Sequence, residues 1–454
     1  MAIARTPRRH ATLSLCIVVL VLAALTLGAT NRASSAGSTQ GVTKDSIKVG
    51  IAIIDYSSIA DFVDYTFGDT KAVSQVFVDD INNNGGINGR KIIPVFKEYP
   101  PIPGGKPDPL SLCTAWSEDD KVFAVLGVFI DFTGQGQLCL AKEHSVIHIG
   151  HELDQPWIDE SPGGLMLTPD RTKEEVSAAL INLLSGSGKI KGKTVAVVGD
   201  KNNEARVNDV IVPALKKAKA KTGSTAILTI TGTDTTAAQA QMESFIEKWK
   251  TEGVNTVFLA GNLVSAKQFA ETIKNAMPKV QLVTDTDTAL DQAKDEQQAG
   301  VSPNPYEGMI SGTGLTQSER WANKSPILQR CVDIYEKATG TTVPGPDERA
   351  TTSDGKTINT DQSVTDACGD LFMFKAIAEK VGKNLTVKNW QKTVDSFGKI
   401  DLPPDKFASL CKGKYGAEDS FRLVAYDSSV GTAGDWKMLT SVKDASGGKC
   451  AKAT

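Results

Sequence analysis

From Ile47 onward the chain switches repeatedly between short, wholly apolar runs and longer stretches whose apolar residues recur every three or four positions. "IKVGIAII" (47–54) has no polar face to offer water and reads as a strand buried on both sides. The stretch Asp69 to Asn83 that follows puts Val73, Val76, Phe77 and Ile81 on one helical face. Further β-like runs come as "IIPVF", "VFAVLG" and "VIHI", separated by helical stretches such as "GQLCLAKEH". Such alternation predicts the α/β class: a parallel sheet covered by helices on both faces.

The glycine-rich stretch "NNNGGINGRKI" (82–92) tests that reading, because beside Arg90 and Lys91 it resembles a phosphate cradle. A cradle needs its glycines after a strand and before a helix. Here a helix precedes and the strand "RKIIPVF" follows, so Gly85 or Gly86 is predicted to cap the helix and Asn88-Gly89 to make a tight turn. "SGKIKGKT" (187–194) fails as a nucleotide loop in the same way, since it leads into the strand "TVAVVGD".

A second unit of the same plan begins near Leu167. The helix "KEEVSAALINLLSG" leads to "TVAVVGD", a helix over Asp209 to Lys221 and "AILTIT"; then come "AAQAQMESFIEKWKTEG", "TVFLAG", "SAKQFAETIKNAM" and "VQLVT". Beyond about Pro305, "YEGMISGTG" reads as a chain crossing between the units. Helices are predicted over Pro326 to Thr339, Ser363 to Val381 and Val387 to Phe397, with an exposed polar loop between the first two. "SFRLVAYD" and "DWKML" are a predicted strand pair near the end.

With 454 residues, 40% of them hydrophobic, the chain has material for two cored domains. A net charge of -3 excludes the basic stripe of a nucleic-acid binder. Arg5, Arg8 and Arg9 precede an apolar run from Leu13 to Ala29, and Ser34 and Ala36 follow it; residues 1–36 are predicted to be a secretory signal peptide, with a retained membrane anchor as the alternative. The arginine pair resembles a twin-arginine signal, but the residues after it match poorly, and Cys16 inside the apolar run lacks a small residue before it for lipid attachment. Six cysteines remain, an even number that in an exported chain reads as disulfides, and no CxxC supports a zinc or redox motif. Cys113 and Cys139 lie on helices flanking one strand, and Cys331 and Cys368 on helices expected to pack, which leaves Cys411 with Cys450.

In "IKVGIAI", the helix ending "DDINNNGGINGRKI", "VFAVLG", "TVAVVGD" and "YEGM", taken in order, the chain resembles the extracytoplasmic solute-binding proteins of the leucine/isoleucine/valine-binding type, which serve ABC importers. The likeness spans roughly Ser46 to Leu439. It implies two doubly wound parallel-sheet lobes joined by a three-crossover hinge, with the ligand between them. The expected limits are 43–168 and 308–418 for lobe one, 169–307 and 419–441 for lobe two, and a tail over 442–454. It also implies a small-molecule ligand, a permease partner, a monomer without cofactor or metal, and a place outside the cytoplasm.

Open α/β sheets bind ligands beyond the carboxyl ends of their strands. That rule nominates Asp55, Tyr56, Tyr65, Asp131, Phe132, Thr133, His151 and Glu152 in lobe one, and Glu204, Asn262, Asp285 and Asp287 in lobe two. Any of them could instead cap the turn that follows, Asp285 and Asp287 above all. Relatives that bind amino acids hold the ligand carboxylate with Ser/Thr and backbone N–H groups, a place Thr133 fits, whereas Glu204 and Asn262 stand where aromatic residues are usual. Asp285 or Asp287 matches the acidic ammonium anchor. With Asp131, Glu152, Glu204, Asp285 and Asp287 acidic and no mapped cation, the cleft is expected to prefer a neutral polar or cationic molecule over leucine. His144, His148 and His151 are expected to point apart, giving no metal site. A sensor of a signalling system on the same fold stays open as an alternative. An enzyme is disfavoured, for there is no nucleophile elbow, HExxH or triad.

Overall fold

The apolar run at Ile47 is the first strand of a five-stranded parallel sheet in the computed structural model, which describes residues 39–450 except 61–62, 64, 103, 132, 231–234, 262–266, 287, 299, 404, 432–433, 447 and 449. The predicted signal peptide therefore lies outside the described residues. Among the described residues no helix is long and apolar enough to cross a membrane.

The first lobe contains β1 (Ser46–Ile54), β2 (Tyr65–Thr66), β3 (Lys91–Tyr99), β4 (Ala124–Leu126), β5 (Ile147–Ile149) and β6 (Met166–Leu167), and its main sheet runs β3-β1-β4-β5-β6. Every residue of β1 from Val49 to Ile54 is buried, because both faces are covered. Val49, Ile51 and Ile53 pack with Val73, Phe77 and Ile81 of the Thr70–Asn83 helix, while Ala52 and Ile54 pack with Trp116, Phe129 and Leu140 on the other side.

The connector reading of the glycine-rich stretch holds. The Thr70–Asn83 helix ends into Gly86 at φ 67°, where an added Cβ would sit 2.1 Å from the Arg90 carbonyl oxygen. The Asn82 side chain then pins the next strand, donating to the Ile92 carbonyl and accepting from its N–H. The Asn88 amide donates to the carbonyls of Ala378 and Glu379, fastening the turn to the Thr360–Val381 helix.

The second lobe contains β7 (Thr194–Asp200), β8 (Lys221–Thr222), β9 (Ala226–Leu228), β10 (Thr256–Ala260), β11 (Gln281–Thr284) and β12 (Ile310–Thr313), to which β16 (Ser420–Asp427) and β17 (Asp435–Met438) add antiparallel, the β17 pairing being the predicted strand pair. Because β12 pairs with β11 and β16, the stretch 308–313 belongs to this sheet, and the chain returns to lobe one only after Thr313.

Three crossovers join the lobes and touch one another. Thr168 donates its N–H to the Tyr415 carbonyl and accepts from Ala417, and the Glu418 N–H reaches the Pro169 carbonyl. Two crossovers end in the same device: Thr172 with Glu175, and Thr316 with Glu319, form capping boxes that start the next helix without a spacer. The third is tied by Lys414, 4% exposed, whose ammonium donates to the carbonyls of Ser409, Gly416 and Ala417 and pairs with Asp419 at 3.0 Å.

Helices over Pro326–Thr339, Thr360–Val381 and Val387–Asp395 return to the first sheet. The polar stretch between the first two is not simply an exposed loop. Its residues Thr357–Ile358 (β13) pair with β2, Arg349 forms a forked ion pair with Asp361, and the Lys356 ammonium donates to the carbonyls of Ala60 and Val63. Short β14 (Gly398–Lys399) and β15 (Ser409–Leu410) pair with each other, and β18 (Lys443–Asp444) pairs with β16.

Disulfides join Cys113 to Cys139, Cys331 to Cys368 and Cys411 to Cys450, the pairing expected from the helix order. The first closes a loop of 26 residues, so Cys113→Ala/Cys139→Ala should lose about 3 to 4 kcal/mol by the chain-entropy estimate. Non-reducing urea titration of this variant checks the value, and an unshifted midpoint would deny the bridge its stabilising role.

Candidate ligand-binding site

At the carboxyl end of β1 the Asp55 carboxylate accepts from the N–H and hydroxyl of Ser57, turning the chain so that Tyr56 stands over the sheet edge. Tyr56 stacks on Phe67 at 5.1 Å between ring centroids, and Tyr65 meets both rings edge-on at 6.4 and 5.8 Å. Beside them, at the end of β4, Gly127 turns at φ 102°, a conformation that would strain any residue with a side chain.

These strand ends and the helices over Thr70–Asn83 and Thr360–Val381 line a mostly apolar pocket that is partly open to solvent. Tyr56, Phe67, Leu126 and Val128 give it apolar walls; Ser363, Asp366 and Asp370, all from the Thr360–Val381 helix, give it a polar one. Those three follow one another by three and four residues along the helix, so they share a face. That polar stripe was visible in "SVTDACGD", but a search of strand ends passes over it.

His151, after β5, holds the pocket to the hinge. Its Nδ1 lies 2.7 Å from Asp170 in the first crossover and its Nε2 3.1 Å from Asp370. Burial alone would lower its pKa, but Asp370 and Asp170 outweigh that and hold it well above the usual histidine value, so it is an imidazolium at neutral pH. Burial raises Asp370 despite His151, whereas against the same effect of burial His151 and Arg320 hold Asp170 below the ordinary carboxylate range. Burial, with Asp170 and Asp370 adding to it against His151 and Arg320, pushes Asp366 up to about 7. Burial raises the Tyr56 hydroxyl, and Tyr65 and Asp366 raise it further.

The other mapped residues are engaged elsewhere. Asp131 caps the turn after β4, accepting from the N–H and hydroxyl of Thr133 and the N–H of Gly136. Thr133 is exposed beside it. Glu152, at φ 59°, lies 3.7 Å from Lys173, and Glu204 pairs with Lys201. Asp285 is buried with both oxygens used: Arg206 and Ser177 donate to one, each at 2.6 Å, and the Gly261 N–H to the other at 3.0 Å. Phe132, Asn262 and Asp287 lie outside the described residues.

The expectation of uncompensated acids at the strand ends is therefore corrected, since Lys173, Lys201 and Arg206 stand beside Glu152, Glu204 and Asp285. Of the histidines, His148 is fully buried and burial lowers it to about 4, keeping it neutral. His144 converges with Cys113 and Cys139, but those sulfurs are bonded to each other and offer no thiolate.

Among solved structures, a solute-binding protein of an ABC transporter from Rhodopseudomonas palustris BisB5, in complex with 3,4-dihydroxybenzoic acid, has 13% identity and a TM-score of 0.60, covering 88% of this chain and 98% of its own. A leucine-binding protein from Thermotoga maritima has 10% identity and a TM-score of 0.60, covering 88% and 99%. A fatty acid ABC transporter substrate-binding protein from Thermomonospora curvata has 16% identity and a TM-score of 0.58, covering 90% and 94%. No curated protein matches the chain by sequence. These likenesses carry the fold, and the family follows from a model described as periplasmic binding protein, which matches residues 46–353. With two parallel-sheet lobes, three crossovers and that match over most of its length, this chain belongs to the periplasmic binding proteins, with the type I fold of the leucine-binding kind.

Proposed function

We propose that this protein is an extracytoplasmic receptor without catalytic activity, which captures a small polar molecule between its lobes and delivers it to an ABC permease. The observation that carries the reading is the aromatic-walled pocket at the carboxyl ends of β1 and β4, with acidic groups on one side. Apolar walls with a few convergent polar groups suit a small-molecule site, and this edge of the sheet is where such folds bind. Tyr56, Tyr65 and His151 are the mapped residues that gather around it. Thr133, Glu152 and Glu204 are assigned to the rim that closes on the solute. The polar wall favours an amide, polyol or cationic group over a free carboxylate.

A receptor on this hinge works as a monomer that closes on its solute, because only the closed form contacts the solute from both lobes. Small-angle scattering with and without a saturating solute should show a smaller radius of gyration when bound. An unchanged profile at saturation would contradict the receptor reading.

A further inference from the structure

The polar wall of the pocket is incomplete in a way that names a ligand chemistry. Ser363 is 4% exposed and lines the pocket, yet its hydroxyl has no hydrogen-bond partner among the described residues. The Asp366 carboxylate, on the same helical face, likewise makes no hydrogen bond or ion pair among them. A buried hydroxyl without a partner costs about 1 to 3 kcal/mol, and a solute donor or acceptor at that point would recover it.

Charge points the same way. The groups that act on Asp366 are Asp370 from its own helix, His151 from the end of β5, Asp170 from the first crossover and Arg320 from the helix after the second. Three carboxylates face two cations there, so ionising Asp366 leaves a negative charge that a bound cation would offset. Farther along the hinge, Asp405 and Glu418 lie side by side near Arg171 and Arg320, and burial together with Glu418 raises Asp405 well above the ordinary carboxylate range. The aromatic faces of Tyr56 and Phe67 suit a cation and the apolar carbon behind it.

We propose that the pocket takes an organic ammonium with an apolar body: the ammonium held by the Asp366 carboxylate and the Ser363 hydroxyl, the body against Tyr56 and Phe67. This deepens the receptor reading and rests on it. It also accounts for Arg206, which fills the lobe-two acid that would otherwise compete for the same ammonium.

Calorimetric titration with 2-phenylethylamine, its neutral analogue 2-phenylethanol and its anionic analogue 3-phenylpropanoate tests the assignment. The amine should bind tightest, and Asp366→Asn should weaken it by at least about tenfold while changing the alcohol little. A bound cation lowers the Asp366 pKa, so amine binding should release protons below about pH 7 and strengthen as pH rises to that point. The variant should fold, because without a ligand a carboxyl raised to about 7 loses stability as pH rises through that value and the amide does not. Tightest binding of the carboxylate, or an amine affinity unmoved by Asp366→Asn, overturns the ammonium assignment. If none of the three binds but another solute is retained and closes the lobes, this proposal fails and the receptor reading stands. If no solute of any class closes them, both fail.

Discussion

Arg206→Met should destabilise the protein by about 3 to 5 kcal/mol, the cost typical of removing one partner of a buried ion pair. The guanidinium is 6% exposed, and the Asp285 side chain is wholly buried. With Arg206 gone, Asp285 keeps only the Ser177 hydroxyl and the Gly261 N–H, and Asn203 loses its charged donor. The penalty comes from the stranded carboxylate rather than from lost attraction, so Arg206→Met/Asp285→Leu should recover most of the loss. Urea titration of the two variants separates the cases. A single variant within about 1 kcal/mol of wild type would mean that water reaches Asp285 and that the pair is not sealed.

Lys414→Met should cost a similar amount, about 3 to 5 kcal/mol, and should act on the hinge. This one ammonium satisfies three backbone carbonyls and Asp419 where the third crossover enters β16. Burial lowers its pKa and Asp419 and Glu175 only partly oppose that, so the folded state holds a cation in an unfavourable place for the sake of its partners. Without it, the Ser409 and Gly416 carbonyls lose this donor and Asp419 keeps only the Ser409 hydroxyl. Amide exchange should quicken at residues 416–420 while β10 and β11 keep their protection. Unchanged exchange there would show that the crossover is held by its backbone bonds to Thr168 and Pro169 alone.

The fold was legible because its signals are periodic. Doubly buried strands read as unbroken apolar runs, the "NNNGGING" connector has its order dictated by the helix before it, and the helix order pairs four cysteines and leaves Cys411 for Cys450. What escaped had no period. A two-residue strand such as Thr357–Ile358 leaves no alternation to see, so the segment that pairs with β2 read as loop. Arg206, from a helix after β7, meets Asp285 after β11, and no spacing along the chain signals that pair. Of the pocket's lining, the strand-end rule named Tyr56, with Tyr65 packed on it and His151 bonded to Asp370, but not Asp366 and Asp370 themselves, because a helix of the last third of the chain carries them. Asp131 shows the opposite error of that rule: a strand-end acid engaged in capping the turn that follows.

The central claim is that a solute occupies the lobe-one pocket of a closing receptor, and native mass spectrometry of protein exposed to a metabolite extract tests it most directly. Wild-type protein should carry a small-molecule adduct. Ala367→Phe, which fills the pocket from its own lining, should fold with unchanged disulfides and lose that adduct. An adduct kept by Ala367→Phe, or no adduct on the wild type from any extract, would contradict the account.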